Sequence, residues 1–324
     1  MGRGHSLTRR DLLIGAAATA TLASCGPAPA VRASATPTPL PPPETTTLRL
    51  PPGFAACDPY FWLVDDFLRE EGFTSAPRAS PGQTLSKGEV DVNVIYANQA
   101  VANVDAGLPL VVLAGGHVGC LELWARTGID GIRDLRGKRL VVDTRSPTSI
   151  WYGFFVSMLV SVGVDPNEVN WTEDPNYTTA YFIEGKVDAF LAATTAGYFI
   201  RTNPANPGRL ILNTSVDKPW SQNYCCLIVA NRDWAQRNPV AAKRLTRAML
   251  RASDMAAKDL AFAARTAIEK KLFPANITYD ILHDMLVELP FAWREYDPEE
   301  TLRFYSLRLA DGKLIKKTPQ QIIN

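Results

Sequence analysis

The sequence predicts an α/β protein of two like lobes, each a mixed sheet flanked by helices. Three observations carry that expectation. Short apolar runs alternate with amphipathic segments along most of the chain, the pattern of layered helices and strands. Several amphipathic segments open on a capping residue followed by proline, and a Gly-x-Val-Asp turn occurs twice, at corresponding points of the two halves. Beyond residue 47 about 277 residues remain, enough for one large domain or two lobes of ordinary size.

The expected strands are 46–50, 90–96, 110–114, 121–125, 139–142, 187–192 and 225–230, in a layering that reads as parallel. Helices are expected to start at Asp58-Pro59, Ser146-Pro147, Asn238-Pro239 and Asp297-Pro298, where the first residue accepts orphan amide hydrogens and proline has none to lose. Gly72 and Gly163 suit the ends of the first two. The repeated turn is Gly88-Glu89-Val90-Asp91-Val92 and Gly185-Lys186-Val187-Asp188-Ala189. Each copy leads into a strand and then a small polar loop, Ala97-Asn98-Gln99 and Ala193-Thr194-Thr195. Ligands of parallel sheets bind at the carboxyl ends of strands, so Asn98, Gln99 and Thr194 are candidate contacts.

Ahead of the folded part, Arg3, Arg9 and Arg10 precede an apolar stretch over residues 12–23, the layout of a secretory signal. As a helix that stretch reaches about 18 Å, short of the ~30 Å of a hydrocarbon core. Thr8-Arg9-Arg10-Asp11-Leu12-Leu13 resembles a twin-arginine export signal, and Leu22-Ala23-Ser24-Cys25-Gly26 resembles a bacterial lipobox. Residues 1–25 are therefore expected to be a signal ending at a lipidated Cys25. Residues 26–47, rich in Pro, Ala and Thr, read as an extended tether.

With 34 Lys and Arg against 33 Asp and Glu, the chain lacks the basic stripe of a nucleic-acid binder. The remaining cysteines, Cys57, Cys120, Cys225 and Cys226, contain no CxxC pair and have no histidine nearby in sequence, so zinc is not expected; they read as buried free thiols, with the three disulfide pairings of four cysteines left open. Cys225 and Cys226 are adjacent in a strand-like run, which predicts side chains on opposite faces. No Gly-x-Ser-x-Gly elbow, dinucleotide glycines or phosphate loop occurs, and no catalytic residue or cofactor is expected.

Residues 108–123 (LPLVVLAGGHVGCLEL) and 132–138 (IRDLRGK) resemble the nitrate, taurine and aliphatic-sulfonate binding proteins, a family that includes binders of thiamine-pyrimidine precursors; residues 220–226 (WSQNYCC) and 293–298 (WREYDP) are similar to one of its subgroups. The resemblance implies a type II periplasmic-binding fold in which two strands, 121–126 and 224–231, cross between lobes that close on a ligand. Lobe I would be 46–121 plus 226–324, and lobe II 122–225. It also implies an exported monomer on the outer face of the cytoplasmic membrane, serving an ABC permease and its ATPase. Thr318-Pro319 would open a last helix that the family completes farther on.

The sequence departs from the sulfonate binders at 143–149 (DTRSPTS), where a glycine-serine anion loop is expected; Ser146, Thr148 and Ser149 still open a helix whose amides favour an anion. His117 follows a strand in a Gly-rich turn, either bonded to backbone or facing a ligand. Asp58 and Tyr60 are a cap or a contact; Trp220 and Tyr224 stack on a planar ligand or pack in the core; Gln222 is a possible hydrogen-bond partner. The expected ligand is a small planar or anionic molecule: a heterocycle first, then an aromatic carboxylate or a sulfonate. The alternatives are an enzyme resembling a pyrimidine-precursor synthase, whose cysteine-rich iron motif only Cys225-Cys226 echoes, and a ligand-sensing lipoprotein receptor.

Overall fold

The computed structural model describes residues 41–51, 55–81, 83–291 and 293–324. The proposed signal with Cys25, and the tether up to residue 40, lie outside the described residues. Residues 41–47, read from composition as tether, are bonded to the body instead. The Glu44 carboxylate accepts from the amides of Val240 and Ala241 (3.0 and 2.9 Å), and Arg244 donates twice to Pro41 O.

In chain order the helices are α1 (Pro59–Trp62), α2 (Asp65–Glu70), α3 (Ala97–Asp105), α4 (Ile150–Ser161), α5 (Ala180–Ile183), α6 (Thr194–Arg201), α7 (Arg232–Arg237), α8 (Pro239–Lys258), α9 (Leu260–Glu269), α10 (Tyr279–Val287), α11 (Pro298–Asp311) and α12 (Pro319–Ile323). The strands are β1 (Val92–Tyr96), β2 (Leu110–Val118), β3 (Leu121–Arg126), β4 (Arg139–Val142), β5 (Asn170–Glu173), β6 (Ala189–Ala193), β7 (Gly208–Asn213) and β8 (Tyr224–Asn231).

One sheet has the order β1-β8-β2, a second β6-β3-β7, and β4 pairs with β5. The layering is not the parallel one expected. Only β4 and β5 pair in parallel among these strands; β8 and β3 run against both their neighbours, because the chain enters each from the other sheet. Residues 46–50 form isolated parallel bridges, Thr47 to Ser75 and Leu50 to Arg78, in place of a full strand. Sequence reading missed β5, which is polar and largely exposed, and β7, which pairs on one side.

The repeated turn has a three-dimensional counterpart. Asp91 N donates to Arg49 O (2.9 Å), while the Asp91 carboxylate accepts from Arg49 N (2.8 Å) and from its guanidinium. Asp188 does the same with Arg139: its amide donates to Arg139 O (2.8 Å), and its carboxylate accepts from Arg139 N (2.8 Å) and the guanidinium (2.6 Å). These bonds join 47–50 to β1 and β4 to β6. Both sheets thus extend in one order: 75–78, 47–50, β1, β8, β2 in the first, and β5, β4, β6, β3, β7 in the second.

Helix starts are partly as the prolines predict. Asp297 caps α11 through Glu299 N (2.8 Å). Asn238 precedes α8, but its amide group turns back to Trp234 O, and Glu44 meets the free amides. Asp58 likewise makes no cap; its carboxylate accepts from Ala55 N and the Tyr60 hydroxyl, both at 2.9 Å. The helix expected at Ser146 begins at Ile150 with Ser149 as its cap (Tyr152 N, 3.1 Å). Gly72 and Gly163 follow the ends of α2 and α4 at φ +93° and +76°, the conformation glycine supplies most cheaply.

The core is largely continuous from one sheet to the other. Tyr96, Phe154 and Tyr305 meet edge to face at 5.6 Å per pair, and Trp220 packs beside Tyr305 and Phe304. At β2 the Tyr224 ring lies where a Cβ on Gly115 would stand, and the Tyr224 hydroxyl donates to Trp293 O (2.5 Å) and Tyr296 O (3.1 Å).

Asp91→Ala is expected to cost about 1–3 kcal/mol, since it strands the Arg49 amide. Asp188→Ala should cost less, because its side chain is 20% exposed against 3% for Asp91. Urea denaturation checks both; equal losses would contradict the argument. Gly115→Ala forces a methyl into the Tyr224 ring, and about 1–3 kcal/mol is expected for such overpacking. A variant as stable as the parent would mean that the ring has room to move aside.

Candidate functional site

The chain passes from the first sheet to the second in two residues. Val118 is paired in β2, Leu121 in β3, and between them Gly119 and Cys120 both take left-handed backbone, φ +83° and +78°. Glycine bears this freely, but cysteine does not, and an ordinary side chain held there marks a constrained position. The segment after β7 clamps the turn. Thr214 Oγ1 accepts from Leu121 N (3.0 Å), Ser215 Oγ accepts from Cys120 N (3.4 Å), and a Cβ on Gly119 would overlap Ser215. The crossing is therefore at residues 119–120 and, on the return, between β7 and β8; β3 and β8 each lie wholly in one sheet.

A cavity of about 10 Å³ sits at this junction, lined by Cys120, Glu122, Thr194, Asn213, Ser215, Met285, Glu288 and Leu289. That is room for about one water molecule. Glu122, buried against Gly197, accepts from Trp124 Nε1 (2.8 Å) and Arg201 (2.9 Å), and Arg201 also binds Glu288 (2.7 Å). Burial raises the Glu122 carboxyl above its ordinary range, with Arg201 working against the rise. The Thr194 hydroxyl is buried without a partner among the described residues. Larger cavities of about 460 and 400 Å³ run along α8. They share no residue with the junction, and none of the buried polar atoms without a partner among the described residues lines them, so volume does not mark the site here.

Of the residues singled out in the sequence, Asp58, Tyr60 and His117 come together in the interior. Tyr60 faces His117 at 6.5 Å between ring centroids. His117 is fully buried, with Nδ1 at 3.3 Å from Val118 O and Nε2 without a hydrogen-bond partner among the described residues. Asp58 is pushed up to about 7 by burial and by the neighbouring Cys57, with His117 opposing. Asn98 is buried in the first turn of α3, not in a loop, and its Nδ2 donates to Ile150 O (2.8 Å) at the start of α4. Gln99 beside it is half-buried, its amide held by Asn98 Oδ1. Thr194 opens α6 and reaches the junction cavity.

The remaining candidates lie elsewhere. Trp220 and Tyr224 are packed in the core, and Gln222 is exposed. Ser146 and Thr148 hydrogen-bond each other (3.0 Å) in an exposed turn. Ser149 donates to Asp143 (2.5 Å), so the start of α4 is already faced by the protein's own carboxylate.

Sequence spacing gave no sign of a cluster of cysteines. Cys57, Cys120, Cys225 and Cys226 are all buried; Cys57 and Cys120 lie beside His117, and Cys225 and Cys226 beside Cys120, whose Sγ is 3.1 Å from Cys225 Sγ. The alternation expected of Cys225 and Cys226 fails because the register jumps there: Val118 pairs with Tyr224 and His117 with Cys226, leaving Cys225 as the extra residue of a bulge. Hydrogen bonding to Cys120 and the charge of His117 hold the Cys57 thiol well below its usual range, against burial, while burial pushes the other three up. For His117 burial works downward, and the thiolate character of Cys57 outweighs it.

Known structures share this fold. The alkanesulfonate-binding protein SsuA from Xanthomonas axonopodis pv. citri, bound to MOPS, is 15% identical with a TM-score of 0.66, covering 85% of this chain and 96% of that one. The periplasmic aliphatic sulphonate binding protein SsuA from Escherichia coli, 15% identical, gives 0.61 over 84% and 94%. The nitrate-binding protein NrtA from Synechocystis PCC 6803, 15% identical, gives 0.53 over 75% and 69%. The fold is that of the periplasmic binding proteins. No curated protein matches the sequence. The family described as NMT1/THI5 like matches residues 73–260, more than half of the chain, and the protein belongs to that family.

Proposed function

We propose that the chain is an extracytoplasmic solute-binding lipoprotein. It would capture a small planar or anionic molecule by closing two lobes, near the expected 46–121 with 226–324 and 122–225 but divided at the 119–120 turn and between β7 and β8, and deliver it to the permease and ATPase of an ABC importer. Family membership and fold relatives that include sulfonate- and nitrate-binding proteins support a binding role. The observation that carries the reading is the junction cavity. It lies where the chain crosses between two sheets of like order, it holds a hydroxyl without a partner among the described residues, and it is far too small for a solute. A solute seated there must part the walls, so we read the described conformation as drawn together further than one that holds a solute.

Two carboxylates line that cavity, Glu122 and Glu288, sharing the single guanidinium of Arg201. An anion would meet them at a cost, whereas a heterocycle bearing N–H groups would find acceptors in Glu122 and Thr194 Oγ1. A heterocycle is therefore placed ahead of an aromatic carboxylate or a sulfonate. Among the described residues no helix is long and apolar enough to cross a membrane. Attachment is proposed at Cys25, on the lipobox-like residues 22–26.

A thermal-shift panel across these three classes tests the ligand, since a compound at 100 times its Kd adds about 2.7 kcal/mol. Heterocycles should stabilise, and Glu122→Gln should weaken the hit by about 1–3 kcal/mol through a lost hydrogen bond to a charged group. Stabilisation by anions alone, or a hit indifferent to Glu122→Gln, would place the solute elsewhere. Small-angle scattering should show the ligand-free protein expanded and the saturated protein compact; one unchanging radius would remove the closure. Cys25→Ala should move the protein from the membrane to the soluble fraction, and retention would refute the anchor.

A further inference from the structure

Four thiols and one imidazole converge from three parts of the chain: Cys57 before α1, His117 and Cys120 at the β2 to β3 crossing, and Cys225 and Cys226 at the bulged start of β8. The donor atoms of Cys57, His117 and Cys120 all lie within 4.8 Å of one another, as do those of Cys120, Cys225 and Cys226. Packing alone explains buried thiols, which behave as small hydrophobes. It does not explain His117 Nε2, a buried nitrogen with no partner among the described residues. With Nδ1 placed to donate to Val118 O, the lone pair of Nε2 is the free one, as in a histidine oriented to bind a metal. Nor does packing explain a cysteine at φ +78°. Tetrahedral zinc with sulfur at ~2.3 Å would set its sulfurs ~3.8 Å apart, within the spread of each triad; the two triads share Cys120, and a fourth donor has to draw in from the second triad to complete the first.

The geometry points to a buried thiolate and imidazole site for a thiophilic cation of the zinc type, held by Cys57, His117 Nε2, Cys120 and either Cys225 or Cys226. As each metal–sulfur bond forms, the thiol gives its proton to solvent, and the fifth donor stays a neutral thiol. With four protein donors the ion keeps no open position, so the site is a closed, structural one. The site shares Cys120 with the wall of the junction cavity, its other donors lie outside that lining, and its occupation does not depend on solute binding.

Cobalt(II) is the probe, added anaerobically to the full-length, reduced chain without a polyhistidine tag. About one cobalt per chain should bind, with near-ultraviolet thiolate absorption and the intense visible bands of a tetrahedral ion, and zinc should bleach both. Cys120→Ser should weaken binding by more than the ~10- to 100-fold typical of losing an outer-shell partner. His117→Ala should shift the visible bands and leave thiolate absorption. Cys225→Ser alone should retain a site through Cys226, which guards against reading misfolding as lost binding, and circular dichroism of each metal-free variant confirms its fold. Absence of thiolate absorption in the reduced parent, weak octahedral bands alone, or a folded Cys120→Ser that binds as the parent does would overturn the proposal.

Discussion

The two-residue step from Val118 to Leu121 constrains the rest of the molecule. Left-handed backbone at both Gly119 and Cys120 turns the chain sharply enough to leave one sheet and enter the other at once. Glycine is needed at the first position because Ser215 occupies the space a side chain would take. The second position accepts the strain of a cysteine. Because the turn is so short, the last residues of β2 and the first of β3 cannot drift apart. Those residues supply His117, Cys120 and Glu122, so one turn fixes both the thiol cluster and one wall of the junction cavity.

Much of the fold was legible because it depends on local patterns. Apolar runs located most strands, glycines marked helix ends, and the two Gly-x-Val-Asp turns correspond to equivalent Arg–Asp pairs, Arg49 with Asp91 and Arg139 with Asp188. What failed was non-local. Glu44 meets the amides at the start of α8 from almost two hundred residues away, and no reading of Asn238-Pro239 could foresee it. The direction of β3 and β8 follows from where the chain comes from, not from their residues. The cluster was hidden for a similar reason: its members are spread over residues 57–226, and strict alternation holds only where a ladder keeps its register, which the bulge at Cys225 breaks.

The contacts that hold the junction shut are individually weak. Arg201 and Glu288 are both partly exposed, and such pairs contribute ~0–1 kcal/mol. The single bond from Asn98 to Ile150 O adds about 1 kcal/mol. A ligand preference of a few kcal/mol is comparable to these terms, so closure by population shift is within reach of ordinary binding energy. The aromatic contacts from Tyr96 through Phe154 to Tyr305 are buried more firmly and would have to slide or part if the halves separate.

Closure and cation binding need not interfere, because of where the donors sit. Cys57, His117, Cys225 and Cys226 all lie on or beside the β1-β8-β2 sheet, and only Cys120 belongs to the turn itself. In the proposed closure, a rotation of the second sheet about residues 119–120 would carry Glu122 and Thr194 away from Met285 and Glu288 and open the cavity. It leaves four of the five donors where they are. A cation bound there would hold Cys120, and with it the pivot, to the first sheet. The strain of a left-handed cysteine would then be offset by a metal–sulfur bond at the point about which the halves turn.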